Sequence, residues 1–227
     1  MATKTIKANA TDVTLRSYSF ASDWATVQAG APPSILGVVP DGVRIIPAVA
    51  NLVGAVSWLS GITFDHIYIS RPFLTFSLAG LGGYLIRRAR LIVQQVDDSG
   101  GGYPAPENDS AYLVDASHHI PVTIADWNNL SNTVIAPASG SLVPFVSPKK
   151  ATFTFNDAGI VYISSCVASG TLKVALRQQY DRVAAPPGTL YEAFLFYNTG
   201  KVGYEPYLEI DYLSPFNKAE SVSRRRL

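Results

Sequence analysis

Charge is scarce in this sequence. Only 15% of its 227 residues are Asp, Glu, Lys or Arg, against about 25% in an average soluble domain. The apolar fraction of 48% is ordinary, so the deficit falls on the surface. A surface short of Lys, Glu and Asp in a chain with 12 Tyr and 10 Phe has the composition of a subunit interface, which predicts a homo-oligomer. The formal net charge of +1 supplies no whole-molecule field to draw in nucleic acid, so nucleic acid is not an expected partner. Cysteine is nearly missing as well. Cys166, standing alone, excludes an intrachain disulfide and any multi-thiolate metal site. Its place in the apolar run Ile160-Val-Tyr-Ile-Ser-Ser-Cys-Val reads as a small buried side chain.

The N-terminus, Met-Ala-Thr-Lys-Thr-Ile-Lys-Ala, lacks the apolar core of a secretory signal, so synthesis in a cytoplasm without export is expected. One stretch, Ile45 to Ile62, reaches the minimum of about 18 uncharged residues for a membrane-spanning helix. Pro47, Asn51, Gly54, Ser57, Ser60 and Gly61 interrupt it and Arg44 abuts it. Its β-branched content favours two short buried strands with a turn over a membrane span. Catalytic signatures are lacking: there is no Gly-x-Ser-x-Gly elbow and no phosphate loop, and Gly80-Leu-Gly-Gly83 has neither dinucleotide spacing nor a helix after it. His66, His118 and His119 stand at no metal-ligand interval from Cys166 or an acid. No enzymatic activity and no cofactor are expected.

What the chain does have is punctuation. Turn residues recur at Gly30 to Pro33, Pro40-Asp-Gly42, Gly82-Gly83, Gly100 to Pro106, Pro137 to Gly140, Pro186-Pro-Gly188, Gly200 and Gly203. Between them lie runs that alternate with period two, the mark of a β-sandwich. Val13 and Leu15 alternate with Thr14 and Arg16; Phe64 to Leu78 is one long extended segment bent at Arg71-Pro72; Ala89, Leu91 and Val93 alternate with Arg88, Arg90 and Ile92. Phe153 to Phe155, Leu172 to Leu176, Tyr191 to Tyr197 and Pro206 to Tyr212 complete roughly nine to eleven strands. Thr123-Ile-Ala-Asp126 has capping-box spacing for a helical turn over Ile124 to Leu130, and Asn156 is suited to N-cap Asp157 to Ile163. The organisation expected is one domain over residues 1–216 and a basic tail over 217–227.

Candidate sites are few, and each has a plain structural reading. Trp127, Asn128 and Asn129 place an aromatic ring beside amides, the chemistry that holds a sugar, with Tyr103 as a loop partner. The alternative packs Trp127 into the core beneath a helical turn. The loop from Asp97 to Asp109 gathers Asp97, Asp98, Glu107 and Asp109, hard oxygen ligands suited to calcium although not in EF-hand spacing; the alternative is a plain hairpin loop. Glu209 and Asp211, two apart on a strand, would stand roughly 6.5 to 7 Å apart like a glycosidase pair, but a solvated strand face ordinarily carries such residues. Alternation puts Arg88 and Arg90 together and Arg87 on the opposite face. Arg224, Arg225 and Arg226 form a terminal cationic cluster able to dock on an acidic neighbour or merely to solvate the end.

Three segments carry a resemblance. Ile6-Lys-Ala-Asn-Ala-Thr-Asp-Val-Thr-Leu-Arg16 is similar to the opening strand of the DNRLRE-type jelly-roll domain. Phe73-Leu-Thr-Phe-Ser-Leu with Ala89-Arg-Leu-Ile-Val93 resembles its central hairpin, and Glu205-Pro-Tyr-Leu-Glu-Ile-Asp-Tyr212 its closing strand. The signature hexapeptide itself is missing, and the matching positions are core residues, so no catalytic residue is carried over. Such domains recur in cell-surface proteins and bacteriophage virions. The resemblance therefore implies an all-β, jelly-roll-like antiparallel β-sandwich with one or two short helical turns. It further implies either a virion structural protein, a capsid decoration or tail-fibre-like subunit contacting other virion proteins, or a carbohydrate-binding module that meets cell-surface glycan.

Overall fold

A computed structural model describes residues 1–9, 13–19, 24–29, 42–46, 50–60, 64–94, 111–139, 150–178, 181–182, 191–197 and 202–214. They form strands β1 (Ala2–Lys7), β2 (Val13–Ser19), β3 (Gly42–Ile46), β4 (Ala50–Ser60), β5 (Phe64–Ser77), β6 (Leu85–Gln94) and β7 (Ala111–Ala116). These continue with β8 (Leu130–Ser139), β9 (Lys150–Thr154), β10 (Thr171–Gln178), β11 (Tyr191–Tyr197) and β12 (Tyr207–Leu213). Helices α1 (Trp24–Ala29) and α2 (Asp157–Cys166) and a 3₁₀ turn (Ile124–Asn128) complete the inventory. The described strands number twelve, one above the upper end of the roughly nine to eleven that the turn rhythm indicates.

The strand order identifies the architecture. One sheet runs β1-β12-β6-β9 and the other β5-β10-β7-β8, every pair antiparallel. Numbered along the chain, those eight strands read 1-8-3-6 and 2-7-4-5, the order of a double-sheet jelly roll. The end of β8 leaves its own sheet to pair with β9, through Ala138 and Ser139, and so joins the two layers along one edge. The remaining strands enlarge the second sheet. β2 lies on the far edge of β5 and β3 on β2, while β4 continues the edge that β10 occupies further along β5, with β11 beyond it. Ile45 to Ile62 thus supplies the end of β3 and all of β4, and among the described residues no helix is long and apolar enough to cross a membrane.

Alternation explains the main core. Leu74, Phe76, Leu91, Phe153, Leu172 and Leu208 are fully buried and meet between the sheets. Two departures from strict alternation have local causes. Asp211 pairs with Arg88 but Tyr212 with Ile86, so Arg87 is an extra, bulged residue on β6. Arg87 and Arg88 are consequently both exposed between buried Ile86 and Ala89, which corrects the expectation that Arg87 faces away from Arg88. On β5, every residue from Arg71 to Phe76 is buried, because that strand is covered on both faces. Its outer face carries a second core of Leu15, Ile69, Phe73, Val114, Ala116, Val122, Trp127 and Ala175.

The connection α2 closes one side of the main core. Asn156 caps it, its side-chain oxygen accepting the Gly159 N–H at 2.9 Å. The helix runs to Cys166, three residues past the expected end, since Ile163 is buried in the core and Cys166 and Val167 pack against it. Cys166 is half-buried rather than buried, and burial pushes its thiol pKa up, which makes it a poor nucleophile. Close approach of α2 to β8 requires glycine at 159: a methyl there would lie 2.3 Å from the Ile135 carbonyl oxygen and 2.8 Å from Phe155 Cδ1. Gly159→Ala is therefore expected to destabilise the fold by about 1–3 kcal/mol, although alanine favours a helix by about 1 kcal/mol. A lower urea midpoint at unchanged slope is the measurement that checks it.

Candidate functional site

The outer face of the second sheet holds an unusual concentration of buried polarity. Arg71 on β5 and Arg177 on β10 lie two residues beyond the Phe73–Ala175 pair of the same antiparallel ladder, which sets them side by side. Asp181, four residues past Arg177, reaches back over both. Its carboxylate accepts two forks, from Arg71 Nε (2.9 Å) and Nη2 (2.6 Å) and from Arg177 Nε (2.8 Å) and Nη2 (3.0 Å). Exposure is 2%, 5% and 0% for Arg71, Arg177 and Asp181, so the charges have little solvent to fall back on and must be satisfied internally.

They are. Arg71 Nη1 donates to the Trp127 carbonyl (2.8 Å) and more loosely to Asn128 Oδ1 (3.4 Å), and Nη2 also to the Gln28 carbonyl (3.1 Å). Arg177 Nη2 donates to the Asp181 carbonyl at 2.8 Å and Nη1 to Asn132 Oδ1. The Arg71 guanidinium also sits 4.0 Å from the Trp127 ring centroid. The cluster ties α1, β5, the 3₁₀ turn, β8 and β10 together. Burial pulls the Arg71 pKa down against the opposing effect of Asp181, and the neighbouring Arg177 charge adds to the lowering. Burial acts to raise the Asp181 carboxyl, yet the Arg71 charge and the hydrogen bonds from both arginines hold it below the usual carboxylate range.

Beside this cluster the segment between β7 and β8 folds over the second core. The expected capping motif is present in altered form. The Asp126 carboxylate accepts the Thr123 N–H (2.7 Å) and hydroxyl (3.0 Å), the His119 N–H (2.9 Å) and the Asn129 amide (2.7 Å), and it pairs with His119 Nδ1 at 2.7 Å. Burial opposes its ionisation, but those hydrogen bonds from Thr123, Asn129 and His119 hold its pKa well below the ordinary value. The turn stops at Asn128 because Leu130 already pairs with Ala116 as the first residue of β8. His118 lies underneath, fully buried, its Nε2 2.9 Å from Thr75 Oγ1 and its ring edge-on to Phe73 at 5.2 Å.

Trp127, a sugar platform in one reading of the sequence, is 3% exposed. Its Nε1 donates to the Gln28 carbonyl at 2.9 Å and it belongs to the second core, so the buried alternative describes it. Asn128 is exposed and lines a pocket beside the arginine cluster; Asn129 is turned away to Asp126. Tyr103, the calcium candidates Asp97, Asp98, Glu107 and Asp109, and the tail residues Arg224, Arg225 and Arg226 lie outside the described residues.

No protein-family model and no curated protein matches the chain.

Chemistry must therefore be read from the side chains. Glu209 is engaged by Arg90 at 2.7 Å across the β12–β6 ladder, and Asp211 accepts the Thr3 hydroxyl at 2.6 Å from β1. Both carboxylates serve as cross-strand partners on a sheet face. Among the described residues no three His, Cys, Asp or Glu side chains converge as a metal site. The residues that sequence reasoning missed are Arg71, Arg177, Asp181 and Asn132. A signal existed: Arg71 interrupts the apolar run Ile69 to Phe76, and Arg177 closes another, and a cation at a core-like position of a strand requires an acid nearby.

Proposed function

We propose that this chain is a non-catalytic structural protein of a tailed-bacteriophage virion, a capsid decoration or fibre-like subunit that displays the jelly roll outward. The observation that carries this reading is the strand order 1-8-3-6 and 2-7-4-5, since double-sheet jelly rolls recur in viral capsid and lectin domains. Architecture alone hosts many functions, and composition narrows the choice. A charge content of 15% suits a surface covered by neighbours. Exposed Tyr84 and Leu85, next to the half-buried Tyr212 and Leu213, give one sheet corner an apolar contact surface. The committed carboxylates Glu209 and Asp211 favour assembly over hydrolysis.

The mechanism is burial of apolar and aromatic surface between symmetric copies and against other virion proteins. Light scattering on the purified full chain tests it, together with localisation of the protein by electron microscopy of native particles. A homo-oligomer found on particles is the expected result. A monomer absent from particles overturns the reading. A carbohydrate-binding or adhesion module of a bacterial cell surface is the second reading, favoured by the amide-lined pocket of about 390 Å³ beside Arg71. A monomer that binds glycan would select it.

A further inference from the structure

Among the described residues, the charged side chains that line that pocket of about 390 Å³ all carry one sign. Its size falls in the range of small-molecule sites, roughly 300–1,000 Å³. Among the described residues its walls include Arg71, Arg177 and Arg182 and no acid. The Asp181 carboxylate lies behind the first two and is committed to both, so in this cluster two guanidinium groups share one carboxylate and leave an excess of positive charge.

The amides at its mouth are oriented by the arginines. Asn132 Oδ1 accepts from Arg177 Nη1, and Asn128 Oδ1 faces Arg71 Nη1 at 3.4 Å. Guanidinium nitrogens only donate, so each amide must turn its oxygen toward the arginine and its NH₂ away. Asn128 Nδ2 gives one hydrogen to the Ala29 carbonyl at 3.2 Å and keeps a second. Asn132 Nδ2 meets no acceptor among the described residues, although the side chain is held in place through its oxygen. Gln28 is anchored the other way round, through its nitrogen, Nε2 donating to the Asp181 carbonyl. The result is a preorganised opening whose amide N–H donors have no full complement of acceptors among the described residues, above a buried cationic cluster.

We propose that this pocket binds a small oxyanion, the carboxylate or phosphate group of a polar small molecule, through the amide N–H groups of Asn128 and Asn132. Arg71 and Arg177 are already saturated by internal partners and act through their field, in a partly desolvated setting where charge is weakly screened. The amides supply direction. The inference holds whether the chain is a virion subunit or a glycan-binding module, because it concerns only this face of the second sheet.

Calorimetric titration of the full-length protein with glucuronate, glucose 6-phosphate and glucose tests it. The three probes share a ring and differ in charge. One anion or both should bind at least about tenfold more tightly than glucose, with affinity falling as sodium chloride is raised. The two anionic arms tell carboxylate from phosphate. Asn132→Asp keeps the oxygen that Arg177 holds and replaces the outward donor by a carboxylate oxygen. It should lower affinity by at least about tenfold and leave the urea midpoint unchanged. Glucose binding as tightly as the anions, no binding of either anion, or undiminished binding by folded Asn132→Asp would each overturn the proposal. The first of these would still leave the glycan reading standing.

Discussion

Asp181→Ala is expected to destabilise the protein by about 3–5 kcal/mol, a large share of the roughly 5–15 kcal/mol that holds a domain folded. The substitution removes the only acceptor among the described residues that both guanidinium groups share and leaves Arg71 and Arg177 buried, 2% and 5% exposed, with like charges side by side. Neither can swing to solvent without giving up other bonds: Arg71 is fixed to the Trp127 and Gln28 carbonyls and Arg177 to Asn132. The cost is that of stranded charge, not of lost attraction. Replacing Arg71 and Arg177 with Met and Asp181 with Leu together should therefore cost far less than Asp181→Ala alone, because apolar side chains of similar volume need no counter-charge. Asp181→Asn, which keeps one acceptor oxygen and loses the charge, should fall between. Urea titration of the three proteins measures the order, and an Asp181→Ala protein as stable as the parent would show that the cluster does not hold the sheet face together.

Features set by neighbours in sequence were legible before any coordinates. Leu208 and Ile210 alternate into the core, Asn156 caps α2, and Thr123 with Asp126 starts the turn after β7. Each depends on side chains at most four residues apart. The bulge at Arg87 was not legible, since it exists only in the pairing of β6 with β12, more than a hundred residues on. The second core was hidden for a related reason. Continuous burial from Arg71 to Phe76 follows from the segment around Trp127 lying across the strand, and nothing in β5 itself announces a covering layer. The candidate site was the least legible part. Arg71 and Asp181 are separated by 110 residues, and only the jelly-roll crossover, which puts β10 beside β5, makes them neighbours. The same crossover explains why Trp127 is enclosed: Arg71 lies against its ring and the α1 carbonyl of Gln28 takes its N–H.

Acidification should weaken the fold in two stages, and His118 accounts for the first. The ring is fully buried against Phe73, its Nε2 meets Thr75 Oγ1, and its Nδ1 finds no partner among the described residues. Burial, with added repulsion from Lys173 and His119 and a smaller opposing attraction from Asp126, pulls its pKa from 6.5 down to about 4. Between those two values the unfolded chain binds a proton that the folded chain refuses, so unfolding becomes easier as pH falls through that window. At about 1.4 kcal/mol per pH unit the loss approaches about 3 kcal/mol. Asp126 and Asp181 act in the same direction but lower down. Their folded pKa values lie below the ordinary 3.8, so the stability they contribute persists through the His118 window and is lost only as pH drops beneath it. His118→Gln, which keeps an amide near the Thr75 hydroxyl but does not titrate, should flatten stability between pH about 6.5 and about 4 and leave the lower fall intact. Urea midpoints measured across that range separate the stages, and a variant that still loses stability there as steeply as the parent would assign the proton uptake to another group.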